Sequence, residues 1–250
     1  MAISPLPTSS PVTLDTLKDA KNSVIGNPTA KVALAQSPAF VAALVEALNA
    51  DVDEQIKIEA AQVLSSLSFG PERALASLLS ANTHHALLYA LSHPSTLASP
   101  QLRAAYTRTL RVLAGACADI VGPSLWGVKE HESVYRDEAR GVLDWLYQRD
   151  ALDIFLPLLL DPSPAVCTSI CLTLSTSLRI PPHRAAVTDW VPPLDRAKEA
   201  SKPRRGWERP DSSSSVRQGG GWVVRTLCEL IRGKGRDAKG VEAGLLALAA

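Results

Sequence analysis

The chain has 250 residues, 46% of them hydrophobic and 20% charged, enough for one large domain or two small ones around a substantial core. Aromatics are only 5% and the apolar content is mostly Leu, Ala and Val, which suits helix packed on helix and argues against a β-sandwich. With 26 basic against 25 acidic residues the formal charge is +1, so nothing in the balance calls for a nucleic-acid partner.

The opening run MAISPLPTSSPVT carries no positive charge and no apolar stretch. It does not read as a signal peptide, and 1–12 is expected to be a disordered tail. No run reaches the roughly 18 apolar residues of a membrane span. Structure is expected from residue 13 onward. From Lys21 to Gln36 the chain reads KNSVIGNPTAKVALAQ, with Asn27-Pro28 at its middle. A capping side chain followed by Pro recurs at Ser37-Pro38, Ser99-Pro100 and Ser163-Pro164. The capping oxygen takes an orphan backbone N–H, and Pro, lacking one, presets φ for the first turn. Gly26 therefore closes one helix and Asn27-Pro28 opens the next, a sharp corner between helices.

Four segments then align: FVAALVEALN (40–49), THHALLYALS (83–92), LDIFLPLLLD (152–161) and VVRTLCELIR (223–232). Leu44, Leu87, Leu156 and Leu227 form one column; Leu48, Leu91, Leu160 and Ile231 form another four residues on. Val41, Leu44, Val45 and Leu48 follow the i, i+3, i+4, i+7 spacing of an amphipathic helix. Pro157 interrupts the third copy and predicts a kink or a break there. Each segment is followed by a second helical pattern: EQIKIEAAQVLSSLS from Glu54, QLRAAYTRTLRVLAGAC from Gln101, AVCTSICLTLSTSL from Ala165 and KGVEAGLLALAA from Lys239. The first two copies start at 40 and 83, an interval within the range of armadillo and HEAT repeats. Such units each leave an apolar face to be buried by a neighbour.

Two insertions interrupt the array. One lies near 119–137. The other, 191–221, reads as a flexible basic loop rich in Ser, Pro and Gly. Arg196, Lys198, Lys202, Arg204, Arg205, Arg209 and Arg217 outnumber Glu199, Glu208 and Asp211 there. A solvated loop is the plain reading of that charge, with a weak nuclear-import signal around Lys202-Pro203-Arg204-Arg205 as its rival. The stretch 222–250 reads as further, incomplete repeats. It stops on GLLALAA, an apolar helix without a polar cap, and the expectation is a fragment or a covered end.

Catalytic and cofactor chemistry finds little support. GPSLWGVK (122–129) has the glycine spacing of a phosphate loop, but Val128 stands where Lys is needed and no strand precedes it. GKGRDAKG (233–240) reads as a polar turn between helices. Adjacent His84 and His85 lie about 100° apart on a helix and cannot share one ion. Cys167 and Cys171 share a face without further ligands, and structural zinc usually takes four. With no Cys-x-x-Cys pair, the four cysteines read as reduced thiols, these two as small buried hydrophobes. No nucleophile elbow or carboxylate cluster is present, so no enzyme, no cofactor, no metal and no small-molecule substrate are expected. A triad of residues distant in the chain stays open, since such groups meet only in the fold. Trp145 sits in an amphipathic pattern and is expected in the core.

The opening stretch LKDAKNSVIGNPTAK followed by PAFVAALVEALN resembles the N-terminal repeats of the armadillo-repeat subunit of the GID/CTLH ubiquitin ligase, over roughly the first ninety residues. That family has a similar Lys-Asn-x-Val-Ile-Gly-Asn start, then a Lys and a Leu-rich third helix. IEAAQVLSSLSFG and DAKGVEAGLLALAA also resemble successive repeats there. The resemblance implies a scaffold that docks an exchangeable substrate receptor onto a ligase core, with RING chemistry in other subunits, working in cytoplasm and nucleus. The alternative is a general armadillo or HEAT adaptor in transport or cytoskeletal assembly.

The expected fold is all-α, a right-handed α-solenoid of about five armadillo-like repeats. Partners are expected to be protein subunits, held on a concave face lined by the third helix of each repeat. The four aligned segments are taken as those third helices. Their positions turned away from the apolar stripe are Glu46, Tyr89, Leu158 and Glu229; the turn-side column is Asn49, Ser92, Asp161 and Arg232. These eight are the candidate protein-binding residues, against the plain reading of a solvated helix face.

Overall fold

The computed structural model describes residues 12–122, 133–200, 221–233 and 238–250, and among these every regular element is helical. α1 (Leu14–Val24) opens on a capping box: the Thr13 hydroxyl oxygen accepts the Thr16 N–H while Thr16 Oγ1 accepts the Thr13 N–H. α1 ends at the corner expected from the sequence. Gly26 takes φ +68°, the left-handed region, and Asn27 Oδ1 accepts the Ala30 N–H at 3.1 Å. α2 (Pro28–Ala35), α3 (Pro38–Asn49) and α4 (Glu54–Ser68) follow, then α5 (Glu72–Ser80), α6 (Thr83–Ser92), the short α7 (Pro94–Ala98) and α8 (Pro100–Val121). All four Asn/Ser-Pro steps open helices. Only Asn27 and Ser99 add a side-chain cap; Ser37 and Ser163 leave the work to proline's fixed φ.

After α8 come α9 (Arg136–Leu146), α10 (Arg149–Phe155), a 3-10 helix (Leu156–Leu160), α11 (Pro164–Ser177), α12 (Pro181–Thr188), α13 (Pro193–Ala200), α14 (Trp222–Arg232) and α15 (Ala238–Ala249). The chain divides into two compact units, Met1–Leu143 and Asp144–Ala250.

In the first unit the helices pack by rank. α2, α3 and α4 form one triad and α5, α6 and α8 the next. First helix lies on first (α2 on α5), second on second (α3 on α6) and third on third (α4 on α8). α1 packs on the other side of α4 and so holds the third place of a preceding position. This is the armadillo-like arrangement of an all-α solenoid. Leu44, Leu48, Leu64, Leu67, Leu87 and Leu91 are almost wholly buried between the layers. Buried bonds help tie the triads together: Tyr106 donates to the Leu48 carbonyl and Thr109 to the Ala61 carbonyl, each at 2.9 Å.

The second unit repeats the ranking. α10 with its 3-10 continuation is a second helix and α11 a third; α12, α14 and α15 form the next triad, with α15 on α11 and α14 on the 3-10 helix. The start of α14 is pressed against the end of α12. A Cβ at Gly221 would stand 1.9 Å from the Thr188 carbonyl oxygen, so only glycine fits.

The aligned segments 40–49, 83–92, 152–161 and 223–232 are therefore second helices, one place earlier than the sequence reading put them. The short first helices α2, α5 and α12, eight or nine residues each, leave too little periodic pattern to be ranked from sequence. Residues 1–11, 123–132 and 201–220 lie outside the described residues, and with them the N-terminal tail and most of both insertions. Within the stretch read as loop, Pro193–Ala200 is helical, and Asp195 and Lys198 pair at 3.2 Å one turn apart.

Candidate protein-interaction face

The eight candidate residues sit on the second helices or their ends, four in each unit. Glu46, Asn49, Tyr89 and Ser92 are exposed in the first unit, Tyr89 at 63%. Asn49 Nδ2 reaches the Ala86 carbonyl at 3.4 Å, linking α3 to α6, and the Ser92 hydroxyl bonds back to the Tyr89 carbonyl. In the second unit Glu229 and Arg232 are exposed, and Asp161 is half-buried and accepts the Ser163 N–H. Leu158 is buried, 8% exposed, whereas Leu160, expected in the apolar column, is 60% exposed. Pro157 explains the exchange. It stops the α-helix at Phe155, and the following 3-10 turn advances about 120° per residue instead of 100°, rotating the apolar face.

The row of third helices offers a more coherent surface. In the first unit α1, α4 and α8 lie side by side. On α4 the accessible positions recur at Gln55, Gln62 and Ser66; on α8 they recur at Gln101, Ala104, Arg108, Arg111, Val112 and Gly115. Apart from the adjacent Arg111 and Val112, these positions follow one another at three, four or seven residues, the spacing of one open stripe on each helix. Across the α1–α4 seam, Lys21 Nζ lies 2.5 Å from Glu59 Oε2 and donates to Gln62 Oε1 at 2.9 Å. The Glu59 side chain is only 7% exposed, so this pair is largely withdrawn from water and holds the seam. On α8, Arg108 is exposed and Arg111 half-buried; partial burial, then the neighbouring Arg108 charge, lowers the Arg111 pKa. At the ends of α1 and α4 the equivalent turns expose Ile25 (68%) and Phe69 (76%). Lys31 donates to the Phe69 carbonyl and lies 5.5 Å from its ring centroid.

A recess of about 620 Å³ opens on the opposite rank of helices in the same unit. α2, α3, α5 and α9 line it, with Val41 and Ala76 on its apolar side and Arg73, Ser80 and Glu138 on its polar side. The Ser80 hydroxyl donates to Glu138 at 3.0 Å. No histidine or cysteine lines the recess, so it presents no thiol or imidazole nucleophile–base pair.

The remaining chemistry-bearing side chains are used structurally. The Cys167 thiol donates to the Leu159 and Asp161 carbonyls at 3.3 and 3.0 Å, and Cys171 is buried beside it on α11. Burial, reinforced by the Glu138 charge, pushes the Cys117 thiol up to about 12. Among the described residues no group of three His, Cys, Asp or Glu could hold a metal ion. His84 is buried and His85 exposed; burial and the neighbouring imidazole hold His84 down to about 4. In the second unit His183 stacks on Tyr147 at 4.5 Å and meets Asp144 at 2.8 Å, while Tyr147 Oη contacts Ser177 Oγ at 2.6 Å. Trp190 donates to Asp153, which also takes Arg196 of α13. Trp145 is half-buried and not in the core; Leu146 and Tyr147 take the buried positions. Of 122–129 only Gly122 is described, and it ends α8. No single described helix is long and apolar enough to cross a membrane.

No protein-family model matches the sequence, and no curated protein matches it. Among solved structures, the crystal structure of an engineered protein is similar over 94% of this chain with a TM-score of 0.59 at 16% identity. This chain spans 43% of that protein's length. A designed armadillo repeat protein aligns over 97% of this chain and 95% of its own, with a TM-score of 0.42 at 12% identity. Another, in complex with the peptide (KR)4, aligns over 94% and 92%, with a TM-score of 0.37 at 13% identity. At these identities the first likeness speaks to the fold alone, and the two looser ones carry no argument.

Proposed function

We propose that this chain is a non-catalytic protein-interaction scaffold, the armadillo subunit of a GID/CTLH-type ubiquitin ligase that docks a substrate receptor onto the ligase core. The observation that carries the scaffold reading is the row α1–α4–α8. Three stacked helices turn one polar stripe outward, with Gln55, Gln62, Gln101 and Arg108 at the surface and the Lys21–Glu59 pair holding the seam. Regularly spaced polar side chains on parallel helices suit an extended segment of another protein, bound through many weak contacts. The ligase assignment is supported by the likeness of 17–31 and 38–49 to that family's first repeats; Gly26-Asn27-Pro28 within it is a helix junction here.

The test is a tagged pull-down of the chain from its native cells, read by mass spectrometry, beside the variant Gln62→Trp, whose bulk blocks the stripe without changing its charge. Recovery of RING-bearing and LisH-bearing subunits, reduced by the variant, is the expected result. Recovery of an unrelated set that the variant also reduces would overturn the ligase assignment and leave a general adaptor. Partners that ignore the variant would remove the third-helix face from the reading.

A further inference from the structure

We propose that the third-helix face of the first unit takes an acidic partner, an extended peptide segment whose carboxylates meet Arg108 and Arg111 on α8. This deepens the scaffold reading and rests on it, since it names the chemistry of what that face holds.

The argument is one of charge left over. The α1–α4–α8 row carries six cationic side chains, Lys18, Lys21, Lys57, Arg103, Arg108 and Arg111; Lys57 and Arg103 are buried, and Lys18 stands on the far helix α1. Lys21 is committed: it pairs with Glu59 and bonds Gln62. Glu59 is thereby used, and the other carboxylate of α4, Glu54, accepts the Ser99 hydroxyl at 2.7 Å. Among the described residues Arg108 and Arg111 make no ion pair or hydrogen bond through their guanidinium groups; burial first, and then the Arg108 charge, lowers the Arg111 pKa. Asp119, eight residues beyond Arg111, is engaged elsewhere. Arg103, the other arginine of the helix, is buried and donates to the Leu97 carbonyl, so it is not part of the pair.

Two guanidinium groups three residues apart on a helix are offset by about 4.5 Å along its axis. An extended chain returns to the same face every second residue, about 6.6 Å on, a spacing that the two long, flexible arginine side chains can span. Each fork presents paired N–H donors to a carboxylate, and the half-buried position of Arg111 weakens the competing hydration that an exposed lysine would keep. Glu54 at the start of α4 and Asp119 near the end of α8 are the accessible carboxylates of these two helices, and the accessible positions between them other than the two arginines are uncharged. Gln55, Gln62 and Ser66 of α4, with Gln101, Ala104 and Gly115 of α8, can bond a peptide backbone without repelling its acidic side chains.

The test uses the full chain and three fluorescein-labelled octapeptides, (Glu-Ser)4, (Gln-Ser)4 and (Lys-Ser)4, read by fluorescence anisotropy at low and high salt. The expected result is binding of the Glu peptide at least tenfold tighter than the Gln peptide, weakening as salt rises. Arg108→Gln/Arg111→Gln removes that preference, and Arg108→Glu/Arg111→Glu transfers it to the Lys peptide. Circular dichroism confirms that both variants, altered only at accessible positions, stay folded. Equal affinities for the three peptides, or a preference that survives both variants, would overturn the proposal. The Gln62→Trp pull-down separates the two failures. If it loses partners while the peptides show no charge preference, the face stands and the acidic assignment falls; if neither responds, both fall.

Discussion

Tyr106 is fully buried, and its hydroxyl finishes a carbonyl at the end of α3 that has no helical partner left. Burial pushes its pKa up, so it is a neutral donor at any working pH. Tyr106→Phe should cost about 1–3 kcal/mol in urea denaturation, because the Leu48 carbonyl is then buried without a donor. His84 carries a second prediction. The fold keeps its imidazole neutral down to about 4 against an ordinary 6.5. Between those values the unfolded chain binds the proton and the folded chain does not, so stability falls as pH drops from 6.5 to 4 and this contribution levels off below. Denaturation midpoints taken across that window should fall less steeply in His84→Leu than in the wild type.

At the scale of the element, Pro157 redirects a helix. Leu158→Ala should cost about 2–4 kcal/mol by thermal or chemical denaturation, and Leu160→Ala under about 0.5, the reverse of what a continuous α-helix implies. Gly26 makes a corner instead. A Cβ there would meet no atom within 4 Å, yet φ is +68°, so Gly26→Ala should lose about 1–2 kcal/mol through backbone conformation alone. Calorimetry of that variant beside Gly141→Ala, equally uncrowded in a helix and at an ordinary φ, isolates the effect. The element boundaries were largely legible because capping and periodicity are local: the patterns read from Glu54, Gln101, Ala165 and Lys239 became Glu54–Ser68, Pro100–Val121, Pro164–Ser177 and Ala238–Ala249. The rank of each helix was not, because it depends on which helix lies beside which.

Across the first unit, stability is shared between stacked neighbours. Leu64 on α4 is wholly buried between layers, and Leu64→Ala should cost about 3–5 kcal/mol. Hydrogen exchange should then show protection lost in α1, α4 and α8 together, the three helices that pack in that row. Loss confined to α4 would mean the row does not act as one cooperative element.

The sequence by itself determined that the chain is helical in its described parts, where its helices turn and that the column of Leu44, Leu87, Leu156 and Leu227 is buried. Each of these follows from interactions within a few residues: a cap, a proline, a spacing of three and four. Tertiary packing alone decided that the 40–49 pattern is a second helix and that Leu158 goes in while Leu160 comes out. It also decided that Lys21 is spent on Glu59 while Arg108 and Arg111 are not. Charge pairing across a seam 38 residues deep in sequence is set by helix stacking, and no local pattern encodes it.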